Sequence, residues 1–339
     1  MIANPHNIAV DPGTVWTRDS AVAIDVPADA AVDPLPQTQW PVEDRRSGIF
    51  GAVAPNVVEL AEGSFRMYYT QILPRAGFPA GANDYDNSTT RILSAVSADG
   101  LVWAPEPGVR LSAAAGGAGA FRVVSPEVVP LPDDSGRWRM YFECCPGPQS
   151  GGSTLRSALS TDEGLTWAVE PGDRLGSGGS YNSPRLLFLD DGRCRLYCGA
   201  QGQGIVSAVS VDGGYSFELE PGLRIKQESA YEALKIFSPE VLRIATGGYR
   251  MYYSAYSALN RAYVMSAVSD DGLNWRKEQD PVLAPGGGWD AAKCSEMCVM
   301  EMPGEGGQYR LFYEACDGTA AAERGVWRIA AATASPAVG

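Results

Sequence analysis

At 339 residues the chain is long enough for two average domains or one large repeat domain. It is 45% hydrophobic and 20% charged, and its formal net charge of −13 leaves no basic face for a nucleic-acid partner. No apolar run of about 18 residues occurs, so neither a membrane span nor a membrane partner is expected.

From the N-terminus, Met1 to Asp11 lacks a basic segment followed by an apolar stretch, which points to a cytoplasmic protein. Asp11-Pro12-Gly13 follows, and it copies a phrase found later as Glu106-Pro-Gly, Glu170-Pro-Gly and Glu220-Pro-Gly, with a looser Asp280-Pro-Val. Ala54-Pro-Asn-Val-Val58 opens a second series. It continues as Ser125-Pro-Glu-Val-Val129, Ser183-Pro-Arg-Leu-Leu187, Ser238-Pro-Glu-Val-Leu242 and Cys294-Ser-Glu-Met-Cys298. A third series is Arg66-Met-Tyr-Tyr, Arg139-Met-Tyr-Phe, Arg195-Leu-Tyr-Cys, Arg250-Met-Tyr-Tyr and Arg310-Leu-Phe-Tyr. A fourth begins at Ser94-Ala-Val-Ser-Ala-Asp-Gly-Leu-Val-Trp103 and returns from Ser157, Ser207 and Ser266, with a degenerate copy from Ile329 to Ser335.

Each phrase is short, rich in β-branched or aromatic residues and bounded by Gly, Asp or Pro, so each reads as a strand. Four strands in each of five repeats predict an all-β chain, a single five-bladed β-propeller spanning residues 1–339 with antiparallel blades. The last repeat stops after its third strand. The N-terminal strand, marked by Asp11-Pro12-Gly13, is expected to complete that blade, close the ring and remove its free edge. The Asp-box phrase, clearest from Ser160 to Trp167, predicts a structural turn: Asp caps it, Gly takes positive φ and the aromatic packs between strands.

If the Pro-Glu-Val strand is innermost, Asn56, Glu127, Arg185, Glu240 and Glu296 share one position around a central funnel. All are polar and stand just before an apolar run, where unpaired core placement would be costly. The ends of the Arg-x-Tyr strands add Glu143 and Glu314, and the links into the inner strands add Arg45, Arg46, Arg122, Lys235 and Lys293, with Asp44 beside them. The segment Gln71 to Arg91, carrying Asp84, Tyr85, Asp86 and Asn87, is placed to cover the mouth. Two readings follow: a wet channel plugged by salt bridges, or a substrate site. The repeats differ from one another at these positions, which favours the second.

The seven cysteines have no zinc-type spacing, and reduced, half-buried thiols are expected. His6 is the sole histidine, which argues against a Ser–His or Cys–His pair and against a zinc site of histidines. No motif calls for a cofactor. Calcium could sit among channel carboxylates and carbonyls, though no motif requires it.

Taken together, the Pro-Glu-Val, Arg-Met-Tyr-Tyr and Ser-x-Asp-Gly-x-x-Trp motifs resemble the five-bladed glycoside-hydrolase superfamily of arabinanases, arabinofuranosidases, invertases and levansucrases. That resemblance covers nearly the whole chain. It implies three inner-strand carboxylates: a first-blade base or nucleophile, a second-blade residue that orients, and a general acid. Glu127 matches the second, and Glu240 or Glu296 would be the acid. The usual third blade carries Arg185 instead, and the first carries Asn56, with Asp44 upstream as a substitute. The expectation is a glycoside hydrolase-like enzyme acting on a carbohydrate through Glu127, Glu240 and Glu296. Asn56, Arg185, Glu143, Glu314, Arg122, Lys235, Arg45 and Asp44 would bind substrate. A lyase, isomerase or cyclase acting on a small anionic molecule, and a non-catalytic carbohydrate-binding propeller, stay open as alternatives.

Overall fold

The computed structural model describes residues 6–8, 10–25, 49–60, 63–74, 88–115, 120, 122–133, 135–147, 151–176, 178–302, 307–318 and 325–334. Asp44, Arg45, Arg46 and the stretch Asp84 to Asn87 lie outside them. The described chain is all-β with a few short 3-10 turns, and no helix is long and apolar enough to cross a membrane.

Two strands precede the first inner phrase: β1 (Asn7–Ile8) and β2 (Thr17–Ile24). Next come β3 (Ile49–Glu59), β4 (Phe65–Pro74), β5 (Ser88–Ser97), β6 (Ala104–Pro105) and the two-residue β7 (Leu111–Ser112). Then follow β8 (Arg122–Pro130), β9 (Trp138–Cys145), β10 (Thr154–Ser160) and β11 (Ala168–Val169). After them come β12 (Tyr181–Phe188), β13 (Cys194–Ala200), β14 (Gly204–Ser210) and β15 (Glu218–Leu219). The last seven are β16 (Lys235–Ile244), β17 (Tyr249–Ala258), β18 (Arg261–Ser269), β19 (Arg276–Lys277), β20 (Lys293–Glu301), β21 (Tyr309–Cys316) and β22 (Gly325–Ala334).

Pairing sorts them into antiparallel groups of four. These are β3 to β6, β8 to β11, β12 to β15 and β16 to β19. In the fifth group β20, β21 and β22 run in order, and β2 from the N-terminal end pairs antiparallel with β22. β22 also lies parallel to β3, and β1 parallel to β16.

One side-chain pattern repeats through all five groups. The arginine that opens each second strand ion-pairs with an acid three residues past an aromatic. The pairs are Arg66 with Glu106, Arg139 with Glu170, Arg195 with Glu220, Arg250 with Glu278 and Arg310 with Asp19. Those aromatics pack edge-on against a neighbouring group: Trp103 on Phe312, Trp167 on Tyr68, Phe217 on Tyr141, Trp275 on Tyr197 and Trp16 on Tyr252. Apolar faces are buried between neighbouring groups in the same way, as where Val58 and Tyr68 meet Val128 and Met140.

This pattern corrects the reading of Asp11-Pro12-Gly13. The phrase is not a copy of Glu-Pro-Gly. It belongs to Asp11-Pro-Gly-Thr-Val-Trp16, a displaced copy of the turn phrase. Gly13 has φ +71° and its N–H donates to Asp11 Oδ1 at 2.9 Å. Its carbonyl accepts the Tyr252 hydroxyl at 2.6 Å, just as Gly164, Gly214 and Gly272 accept Tyr68, Tyr141 and Tyr197. The outer strand starts after this turn, and Asp19 is its acid.

The turn glycines are sterically required. Gly164 has φ +82°, and a Cβ there would stand 1.9 Å from the Tyr68 hydroxyl. Gly164→Ala is therefore expected to destabilise the fold by about 1–3 kcal/mol through left-handed strain and displacement of that tyrosine. A lower urea midpoint at unchanged m-value is the signature to measure.

Candidate active site

Strand register aligns the inner strands. Arg66, Arg139, Arg195, Arg250 and Arg310 face Val58, Val129, Leu187, Leu242 and Met300. Two places before these stand Asn56, Glu127, Arg185, Glu240 and Cys298. The first four are the residues expected. The fifth is not Glu296, which lies two positions earlier, level with Ala54, Ser125, Ser183 and Ser238. Those four residues have φ between 48° and 53°, in the left-handed region, at a bulge just before proline, while Glu296 precedes methionine. The fifth phrase lacks the proline, so matching it by its glutamate shifts it out of register.

The layer at Asn56 forms a closed polar floor. Glu127 accepts Asn56 Nδ2 at 2.7 Å and the Leu186 N–H at 3.0 Å, and it lies 2.8 Å from His6 Nε2. Glu240 accepts Arg185 Nε at 2.6 Å and the Val299 N–H at 2.9 Å. Arg185 also lies 3.6 Å from Glu127 and donates to the carbonyls of Pro184, Pro55 and Met297. Cys298 completes the layer by accepting the Val57 N–H at 3.3 Å. Both glutamates are 0% exposed.

His6 arrives with β1 and is buried. Burial alone would lower its pKa, but the Glu127 carboxylate, and then Glu240, lift it above the usual histidine value. The same two carboxylates raise Arg185 against the opposing effect of its burial. Two carboxylates, a guanidinium and the His6 ring thus meet in one buried layer. Sequence reasoning set His6 aside as a catalytic partner and did not place it here.

Nearer the starts of the inner strands a cavity of about 230 Å³ opens. Its lining includes Glu143, Glu296, Glu314, Lys235 and Lys293, but not Glu127, Glu240, Asn56 or Arg185. Glu296 accepts the Ser125 hydroxyl at 3.0 and 3.2 Å and also the Ser183 hydroxyl. Glu314 accepts the Ala54 N–H at 3.0 Å and the Ser295 hydroxyl at 2.7 Å, and it shares a hydrogen bond with Glu296. Glu143 accepts the Cys145 thiol at 3.3 Å.

Burial, and after it the charge of Glu296, pushes Glu143 up to about 7 and lifts Glu314 well above the carboxylate range. The like-charged neighbour of Glu143 is therefore Glu296 from the fifth group. Glu127, expected beside it, sits in the floor and pairs across the strands with Tyr141.

Arg122 is fully buried near Glu143 and donates to the Gly147 carbonyl at 3.0 Å. Lys235 Nζ lies 4.6 Å from the Tyr256 ring centre and 5.1 Å from that of Phe237. Lys293 Nζ lies 5.0 Å from the Trp327 ring and 5.7 Å from Tyr256. Tyr256 and Trp327 line the cavity, and no repeated phrase marks them. None of the seven cysteines forms a disulfide, and all are buried rather than half-exposed. Among the described residues, no group of three or more His, Cys, Asp or Glu side chains is arranged to hold a metal ion.

No family model matches this chain, and no curated protein does. Solved structures do. One, described as a glycoside hydrolase, has a TM-score of 0.66 at 15% identity over 92% of this chain and 93% of its own. A thermostable family-43 glycoside hydrolase has a TM-score of 0.63 at 18% identity, covering 84% of this chain and 89% of its own. A third comes from work on the GH130 family of mannoside phosphorylases and hydrolases of β-1,2 mannosidic linkages in Candida mannan. It has a TM-score of 0.69 at 13% identity and covers 98% and 97% of the two chains. The chain shares their fold. At such identities the site has to be read from its own side chains.

Proposed function

We propose that the five strand groups are the blades of one closed five-bladed β-propeller. We propose further that the chain is a glycoside hydrolase-like enzyme whose chemistry is run by Glu143, Glu296 and Glu314. One observation carries this reading: three glutamates from the second and fifth groups meet in one cavity, two of them lifted well above the ordinary carboxylate range. Glycosidic cleavage needs one carboxyl group that keeps its proton at working pH and a second that acts as base or nucleophile. Glu143 suits the acid. Glu296, oriented by Ser125 and Ser183, suits the second role, and Glu314 tunes it through their shared hydrogen bond. Glu127 and Glu240, expected at the chemistry, serve in this reading as the floor beneath it. The fold shared with several solved glycoside hydrolases supports a carbohydrate substrate.

The direct test is reducing-sugar release from a panel of oligosaccharides and aryl glycosides. Release that disappears in Glu296→Gln is the expected result, and a panel with no turnover of any member would sink the reading. A lyase, isomerase or cyclase acting on an anionic molecule is the second reading, favoured by Lys235 and Lys293 in the same cavity. Product mass separates the two, because hydrolysis alone adds the elements of water.

A further inference from the structure

The register that moves Glu296 out of the floor also brings three cations into line. Arg122, Lys235 and Lys293 each open their inner strand and stand five residues before Glu127, Glu240 and Cys298. They face Cys145, Tyr256 and Cys316 across the strand pair. Arg122 is turned to a loop carbonyl at 3.0 Å, whereas Lys235 and Lys293 line the cavity. Lys293 is only 1% exposed. Both ammonium groups lie over the Tyr256 ring, Lys235 also over that of Phe237 and Lys293 over that of Trp327.

A ring face attracts an ammonium but does not neutralise it. Nor does Lys235 serve as counter-ion to the cavity's own acids. Among the described residues, the contacts of its Nζ are with the Phe237 and Tyr256 rings and not with a carboxylate. The cavity lining thus combines three glutamates with lysines that stand over aromatic rings.

We propose that the cavity selects a sugar bearing a negatively charged substituent, with Lys235 receiving that charge while the glutamates face the glycosidic bond. The inference rests on the carbohydrate reading above and narrows it to acidic sugars. The aromatic walls suit the apolar face of a sugar ring, and the Lys235 ammonium suits a planar or tetrahedral oxyanion on the same ring.

The test is calorimetric binding of methyl glucuronide, methyl galacturonide, their uncharged methyl esters and the corresponding neutral and 6-sulfated glycosides. The acids are expected to bind about tenfold or more tighter than their esters, one buried charge contact's worth. Lys235→Met should erase that preference and Lys235→Arg should retain it. Lys235 is partly open to the cavity, so its exchange spares the core. The carboxylate and sulfate arms tell which oxyanion is favoured. Equal binding of acid and ester, no binding of any charged sugar, or an unchanged preference in Lys235→Met overturns the inference. Turnover is scored separately. Hydrolysis without preference for acids leaves the hydrolase reading standing, whereas preference without hydrolysis leaves only the acidic-sugar site.

Discussion

Glu143→Gln is expected to lower kcat for glycoside turnover by about 10²–10⁴-fold with the fold intact, the usual cost of removing a general acid. Glutamine keeps the shape and a hydrogen-bonding group but has no transferable proton. A carboxyl pushed up to about 7 also predicts the form of the pH profile. Turnover should fall on the alkaline side as Glu143 loses its proton, and residual activity in the variant should lose that limb. Stability should move in the same direction. The folded pKa lies above the unfolded value, so the native state holds the proton longer, and stability from this group declines as pH rises from about 4.5 toward 7. Glu143 is partly open to the cavity, so solvent there discounts the full shift. Glu143→Gln should then be more stable than the parent at pH 8 by on the order of 1–2 kcal/mol, and nearly equal to it at pH 4. Unchanged kcat in Glu143→Gln would remove it from the chemistry whatever its effect on stability.

Arg185→Met is expected to be the most destabilising exchange in the channel, at about 3–5 kcal/mol, because it leaves buried carboxylates without their cation. Glu240 would lose its 2.6 Å partner, and the carbonyls of Pro55 and Met297 would lose their donor. The loss should grow as pH rises, when His6, the last cation of the floor, discharges. His6 has a folded pKa raised above its unfolded value, so its contribution is fully present below about 6.5 and is lost as pH rises through the folded value. Adding Glu240→Gln to Arg185→Met should recover part of the loss, with a coupling energy of about 0.5–3 kcal/mol in a double-mutant cycle. A cost below about 1 kcal/mol for Arg185→Met alone would mean that water or rearrangement satisfies the floor.

The strands themselves were legible because each repeat carries its own punctuation. Arg-x-Tyr, Asp-Gly-x-x-Trp and Ser-Pro-Glu recur, and each is bounded by residues that favour turns. The site was legible only in part. Glu127, Glu240, Arg185 and Asn56 were rightly grouped, and the structure seals them together with His6. Glu143, Glu314 and Lys235, expected at the substrate, do line the cavity. The misplacement of Glu296 had a visible cause in the missing proline of the fifth phrase. Its correct level could have been found from Lys293, which aligns with Lys235 and Arg122. The acid three residues past each aromatic would likewise have matched Trp16 and Asp19 to the outer strand. His6 had no such signal. It belongs to no repeat, and only tertiary structure brings it beside residues more than a hundred positions away.

The pairing of β2 with β22 has a consequence for synthesis. Asp19 meets Arg310, a separation of 291 residues, and at about 5–20 residues per second the first partner waits on the order of 15–60 s for the second to leave the ribosome. During that interval β2 is an unsatisfied strand beside four groups able to form in sequence. Nascent-chain proteolysis should find this segment cut long after the middle of the protein has become resistant.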